Sequence, residues 1–220
     1  MVSIAAGSVE LGGQVILSDI NFEVAAGQVV AIVGANGSGK STLLRVIVGL
    51  VRPRTGSVRL FGSTPHDLDA VRRVGAAIDT PALYPWMSGK AVLQTLLNLS
   101  GEPDRGRARA ALERFGLSQA GRKPVVRYSQ GMRKRLALAA ASLGQPELLV
   151  LDEPTNALDA DGRALFGDWL QQHRSAGGSA VIATHRPSDA ELCDRVHLLA
   201  DGGLSEITVS EWAHDPGAEV

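Results

Sequence analysis

The run Gly34-Ala35-Asn36-Gly37-Ser38-Gly39-Lys40-Ser41 puts three glycines, a lysine and a hydroxyl within eight residues. Glycines so spaced let successive backbone N–H groups converge on phosphate oxygens, and a helix starting at the lysine adds partial positive charge from its N-terminus. The pattern is G-x-x-x-x-G-K-[ST]. In it Lys40 reaches the β- and γ-phosphates of a nucleoside triphosphate, Ser41 ligates Mg²⁺, and Thr42 follows at the phosphates. A glycine turn that merely joins a strand to a helix is the competing reading. Alone, the motif specifies a nucleoside triphosphate and little more.

Leu148-Leu149-Val150-Leu151-Asp152-Glu153-Pro154 supplies what that loop lacks, an apolar strand ending in two acids. Asp152 is placed to hold Mg²⁺ through water, and Glu153 to polarise an attacking water. Paired carboxylates at the end of a buried strand are costly without a cation nearby. Tyr128-Ser129-Gln130-Gly131-Met132 precedes a helix just upstream. Ser129 suits an N-cap, and a serine hydroxyl with the Gly131 amide at a helix start can equally bind phosphate. His185 closes the apolar run Ala180 to Thr184, where a histidine taken alone is more often structural.

These groups need a scaffold, and the sequence predicts one. Val29 to Val33 is apolar without alternation, which suits a strand buried on both faces in a parallel sheet. A helix from Lys40 to Val51, ended by Pro53, follows the glycine loop. Leu148 to Leu151 and Ala180 to Thr184 read as further buried strands, separated by a helix from about Asp161 to Arg174 that Gly177-Gly178 terminates. Val15 to Val24, Val196 to Leu199 and Leu204 to Val209 complete the strand-like segments. Between about Val71 and Leu143 the spacing is helical, as in Val92, Leu93, Leu96, Leu97 and again in Ala108, Ala111, Leu112, Phe115.

The order of phosphate loop, helical insertion, Ser-x-Gly helix start and LLVLDEP strand resembles the nucleotide-binding domain of ABC transporters, over essentially the whole chain. The resemblance implies an α/β P-loop NTPase fold: a RecA-like core with an N-terminal antiparallel β subdomain (residues 1–70 and 145–220) and an inserted helical subdomain (71–144). It implies ATP and Mg²⁺, and a dimer of two copies in which Ser129 and Gly131 of one close over the ATP of the other. Asn156-Ala157-Leu158-Asp159 matches the family's D-loop, and His185 its switch histidine at the γ-phosphate. By the same resemblance the Q-loop glutamine, which touches the metal, falls on Asp79, and the adenine-stacking aromatic falls at about Leu11. The Tyr-Ser-x-Gly-Met signature resembles drug, antibiotic, peptide or lipid exporters. The implied protein is therefore an ATPase subunit, peripheral to the cytoplasmic side of the cell membrane, that drives transmembrane permease subunits. A soluble ABC-type ATPase, or a module that reads ATP without turning it over, is the alternative; the latter would be expected to lose Glu153 or His185.

Composition agrees with this reading. The chain has 220 residues, 45% of them hydrophobic, and 22 basic against 23 acidic side chains. That is enough to bury a core, and near-neutrality argues against nucleic acid as a partner. No apolar run reaches the ~20 residues that cross a bilayer. The charge is uneven, with ten basic residues against three acids between Glu102 and Arg135, and Arg195 alone against eight acids after Pro187. Solvated faces explain both, and a basic face towards anionic lipid or a partner is the other reading. Cys193 is the lone cysteine and reads as a small buried apolar residue.

Overall fold

Strand β3 (Val29–Val33) is buried at every residue, as its unbroken apolar run requires. In the computed structural model, which describes residues 1–78 and 85–213, it is one of six strands of a mostly parallel sheet. The elements run β1 (Val2–Leu11), β2 (Gln14–Val24), β3, α1 (Lys40–Ile47), β4 (Thr55–Leu60), α2 (Leu68–Arg72) and β5 (Val74–Ala77). Then come α3 (Gly89–Leu99), α4 (Arg105–Arg114), a 3₁₀ turn (Val125–Arg127), α5 (Gln130–Ala141), β6 (Leu148–Asp152), α6 (Ala160–Ser175) and β7 (Ser179–Thr184). The short α7 (Pro187–Ala190), β8 (Arg195–Ala200), β9 (Gly203–Ile207) and α8 (Val209–Ala213) follow.

The sheet order is β5-β6-β7-β3-β8-β9. Strands β6, β7 and β3 are adjacent and parallel, with Leu151 opposite Ile182 and Ala31 opposite the same residue on its other side. Their carboxyl ends therefore open onto one edge, where ligands bind in open α/β sheets. A second, antiparallel sheet of order β2-β1-β4 packs Ile4, Leu17, Phe22 and Leu60 against α1 and one face of the large sheet. The opposite face is covered by α3, α4, α5 and α6 through Leu93, Phe115, Leu138 and Phe166, with Trp169 edge-to-face against Phe115.

Three sequence expectations need correction. The first helix stops at Ile47 rather than Val51, because Gly49 takes φ +77° and the amides of Gly49 and Leu50 turn back onto Val46 and Arg45. This is the paired capping pattern that a left-handed glycine makes, and it acts before Pro53 is reached. Residues 74–77, assigned to the helical insertion, form β5 and pair in parallel with β6. Gly75 there lies so close to Ala141 that a Cβ would come within 2.1 Å of its carbonyl oxygen. The third is the last strand, expected over Leu204 to Val209: β9 ends at Ile207 and Val209 already starts α8, because the Thr208 hydroxyl accepts from the Glu211 amide and caps that helix. Cys193 is half-buried rather than fully buried, and burial, then Asp189 and Asp194, pushes its thiol pKa up to about 12.

Candidate nucleotide site

The loop between β3 and α1 has the backbone that its glycines permit. Gly34 (φ +149°) lies against β8, where a Cβ would meet the Leu199 carbonyl at 2.4 Å, and Gly39 (φ +105°) is the N-cap of α1. Lys40 turns back over the loop, and its Nζ donates to Gly34 O at 2.7 Å and Ala35 O at 2.9 Å. Only 7% of Lys40 is exposed, so an ammonium without such acceptors would be costly. Burial lowers its pKa, and the Glu153 and Asp152 carboxylates oppose that shift.

Lys40, Ser41, Thr42, Asn36, Asp152 and Glu153 share the wall of one cavity of about 500 Å³. A second cavity of about 680 Å³ lies on the β8 side of the loop, lined among others by Gly34, Ala35, Ser38, Asp201 and Trp212. Oxygen donors from Ser41 and Asp152 fit Mg²⁺, which usually takes one or two carboxylates plus phosphate oxygens rather than an all-protein cage. Among the described residues no group of three or more His, Cys, Asp or Glu side chains is placed to hold a metal ion.

Glu153 begins the turn after β6 at φ +45°, a left-handed conformation that costs a non-glycine residue ~1 kcal/mol or more. Its amide donates to Ala183 O of the neighbouring β7 at 2.8 Å, which fixes the turn. His185 follows β7, and its Nδ1 lies 2.8 Å from Glu153 Oε1. That distance suits an ion pair with protonated imidazole, but the direction is off the line of a hydrogen bond, so Nδ1 is left unsatisfied. Glu153 Oε2 and Ser38 Oγ are also buried without a hydrogen-bond partner among the described residues. Unsatisfied buried oxygens and nitrogens at a strand edge are what a site for water and phosphate provides.

The helix start at Ser129 is a true N-cap, with its Oγ accepting from the Met132 amide at 3.2 Å. Gly131 is pressed against the 156–159 segment, where a Cβ would meet Ala157 O at 2.7 Å. Arg135 of α5 pairs with Asp159, whose Oδ1 also caps α6 through the Gly162 amide. Ser129 and Gly131 line neither loop cavity of their own chain. Asp79 lies outside the described residues.

Leu11 is 45% exposed near the end of β1 and lines neither cavity. Apolar residues that do reach the loop cavity are Val15 and Ile16 of β2, Leu198 and Leu199 of β8, and the aromatic Trp212. Sequence reasoning missed Ile16 and Lys134. Lys134 lines the Asp152 cavity, and its Nζ donates to Asp152 O at 2.8 Å. The signal available for Lys134 was its place on the helix that Ser129 begins, one and a half turns in.

Comparison with known proteins agrees with this geometry. A family profile described as ABC transporter matches residues 17–156. An uncharacterized ABC transporter ATP-binding protein of Bacillus subtilis, YdbJ, is 40% identical over 89% of this chain and 65% of its own length. The bacitracin transport ATP-binding protein BcrA of Enterococcus faecalis is 35% identical over 92% of this chain and 67% of its own. The chain thus spans about two thirds of the length of these curated relatives. Among solved structures, an ATP-binding subunit of an ABC transporter superposes with TM-score 0.86 at 25% identity, covering 96% of this chain and 91% of that one. The dimeric ATP-binding cassette MJ0796 bound to ADP and Pi gives the same TM-score and identity over 95% of this chain and 99% of its own. With the family profile covering residues 17–156 and cassette structures superposing over nearly the whole fold, the chain belongs to the ABC transporter family.

Proposed function

We propose that the chain binds and hydrolyses ATP as one of two copies, and that hydrolysis drives export through separate transmembrane subunits at the cytoplasmic face of the membrane. One observation carries the ATPase reading: Lys40, Asp152 and the Glu153–His185 contact meet at the carboxyl ends of three adjacent parallel strands. Lys40 and the loop amides bind the triphosphate. Ser41 and Asp152 would hold Mg²⁺, with Asp79 a further candidate ligand, and the ion would supply charge neutralisation at the phosphates. Glu153 orients a water and takes its proton at Oε2 as the water oxygen attacks the γ-phosphorus and the bond to the bridging oxygen breaks. His185, whose Nδ1 lies 2.8 Å from Oε1, reaches towards the γ-phosphate.

The position of Ser129 and Gly131, outside their own chain's loop cavities, supports their use by a second copy. ATP turnover by the purified chain should then need Mg²⁺ and rise more steeply than linearly with chain concentration. Strictly proportional turnover would sink the two-copy reading. Export is favoured by the signature sequence and by relatives named for bacitracin transport, lantibiotic transport and daunorubicin resistance.

Among the described residues no helix is long and apolar enough to cross a membrane. Residues 85–90 run antiparallel to 121–126, joined by Val125 N to Met87 O and Val126 N to Pro85 O. Met87 packs against the helical core, whereas Trp86 is 71% and Val126 59% exposed. Leu83 and Tyr84, two large apolar side chains just before this stretch, lie outside the described residues. A buried aromatic anchor contributes ~2 kcal/mol, or roughly thirtyfold in affinity. Trp86→Ala should therefore weaken copurification with the membrane chain to about that extent and leave nucleotide binding intact. Loss of ATP binding in this variant would place Trp86 in the fold rather than at the interface.

A further inference from the structure

Asp189 in α7 is 2% exposed and belongs to none of the groups considered so far. Its Oδ2 accepts from Thr155 Oγ1 at 2.6 Å and from Thr184 Oγ1 at 3.1 Å. Thr155 is 3% exposed and Thr184 is fully buried, so this polar knot has little access to water. Burial pushes the Asp189 carboxyl above the ordinary range, and the two hydroxyls, Arg186 and His185 act against that shift. A buried acid of this kind is expensive unless its bonds do something that an apolar residue could not.

The two threonines stand at telling places. Thr155 is two residues beyond Glu153, and Thr184 immediately precedes His185. Thr184 Oγ1 also accepts from the Arg186 amide at 3.0 Å, which shapes the turn that carries His185. The two loops leave different strands, and among the described residues their reacting groups meet through the imperfect contact between His185 and Glu153. Such a pair cannot keep its own spacing, whereas two hydroxyl bonds to a single buried oxygen can.

We propose that Asp189 is a positioning residue: by binding Thr155 and Thr184 through one oxygen, it fixes the separation of Glu153 from His185 and keeps the strained Glu153 turn in place. The inference rests on the ATPase reading for its effect on turnover, but the fastening itself is a property of the nucleotide-free chain. Because both bonds converge on Oδ2, an amide oxygen can replace it, so the acceptor and not the charge is what matters.

The test compares Asp189→Ala, Asp189→Asn and Thr155→Val, by steady-state ATP hydrolysis and by amide hydrogen exchange over residues 153–158 and 184–188 without nucleotide. Misplacing a reacting group by an ångström can cost up to a hundredfold, so Asp189→Ala should lower kcat about ten- to a hundredfold with KM within about twofold. Asp189→Asn should recover to within about threefold of the parent, and exchange should quicken in both loops for Ala but not for Asn. In a His185→Ala background the Asp189→Ala change should add almost nothing, since residues acting as one unit are non-additive. Additive losses, equal losses for Ala and Asn, or unchanged exchange in Asp189→Ala would each overturn the proposal. If Asp189→Ala does not fold, the isosteric Thr155→Val decides by the same readouts. A parent chain without ATP turnover would defeat the ATPase reading, and the exchange result would then decide the fastening alone.

Discussion

Glu153→Gln stops ATP turnover, while the chain still binds nucleotide and accumulates as an ATP-locked pair. The expectation follows from the geometry of one residue. The main chain of Glu153 is held at φ +45° by its amide bond to Ala183 O, and glutamine keeps both the length and that bond. What glutamine lacks is a carboxylate able to take a proton from water. A positioned general base contributes ~10²- to 10⁴-fold, so turnover should fall by at least about a hundredfold. Lys40, Ser41 and Asp152 are untouched, and removing a negative charge beside the phosphates favours retention of ATP. Size-exclusion chromatography with MgATP should show the dimer, and an assay of released phosphate should show the lost turnover. A variant with normal turnover would remove Glu153 from the role of base.

Lys40→Ala, by contrast, should abolish nucleotide binding. The Lys40 ammonium donates to two carbonyls of its own loop, at 2.7 and 2.9 Å, so it is already aimed at the cradle and little ordering cost remains to be met on binding. Hydrogen bonds to a charged partner contribute ~1.5–3 kcal/mol each, and losing two of them lowers affinity by roughly two to four orders of magnitude. Lys40→Arg should not rescue, because a planar fork does not fit where a compact ammonium is nearly enclosed. Binding of a fluorescent ATP analogue, checked by the rise in melting temperature on adding MgATP, measures the effect. Affinity within about threefold of the parent would mean that the backbone amides alone hold the phosphates.

The parts of this site that could be read in the sequence are those in which chemistry and local structure share one stretch of chain. Gly34 to Ser41 is a loop, a helix start and a phosphate cradle in eight consecutive residues, and Leu148 to Glu153 is a buried strand with its acids attached. Ser129 was legible as a cap for the same reason, and the cap is there. Lys134, Ile16 and Asp189 were not, since each matters through residues brought to it by packing: Asp152 at 18 positions' distance, the phosphate loop across a sheet, and Thr155 at 34. Leu11 shows a related limit: alignment by spacing fixes a position along β1 but not which neighbour a register-shifted strand will face, and the cavity beside the loop is lined by Val15, Ile16 and Trp212 among others. In the 85–90 segment, two adjacent side chains part company, Met87 turning to the core and Trp86 to solvent, as no periodicity could have specified in so short an irregular stretch.

The shared direction of β3, β6 and β7 also divides the molecule into a working end and an idle one. The glycine loop and the turns carrying Glu153 and His185 all leave the carboxyl ends of these strands, so the segments entering their amino ends are free of that duty: Ala25–Ala26 before β3, Gly144–Gln145 before β6 and Ala176–Gly177 before β7, all exposed. Variation in loop length can collect there without touching the phosphate cradle, and a dye, a purification handle or a surface attachment belongs at that end of the molecule for the same reason. Gly178 marks the inner limit of this freedom before β7, because the His173 ring fills the space where its Cβ would stand, 2.3 Å away.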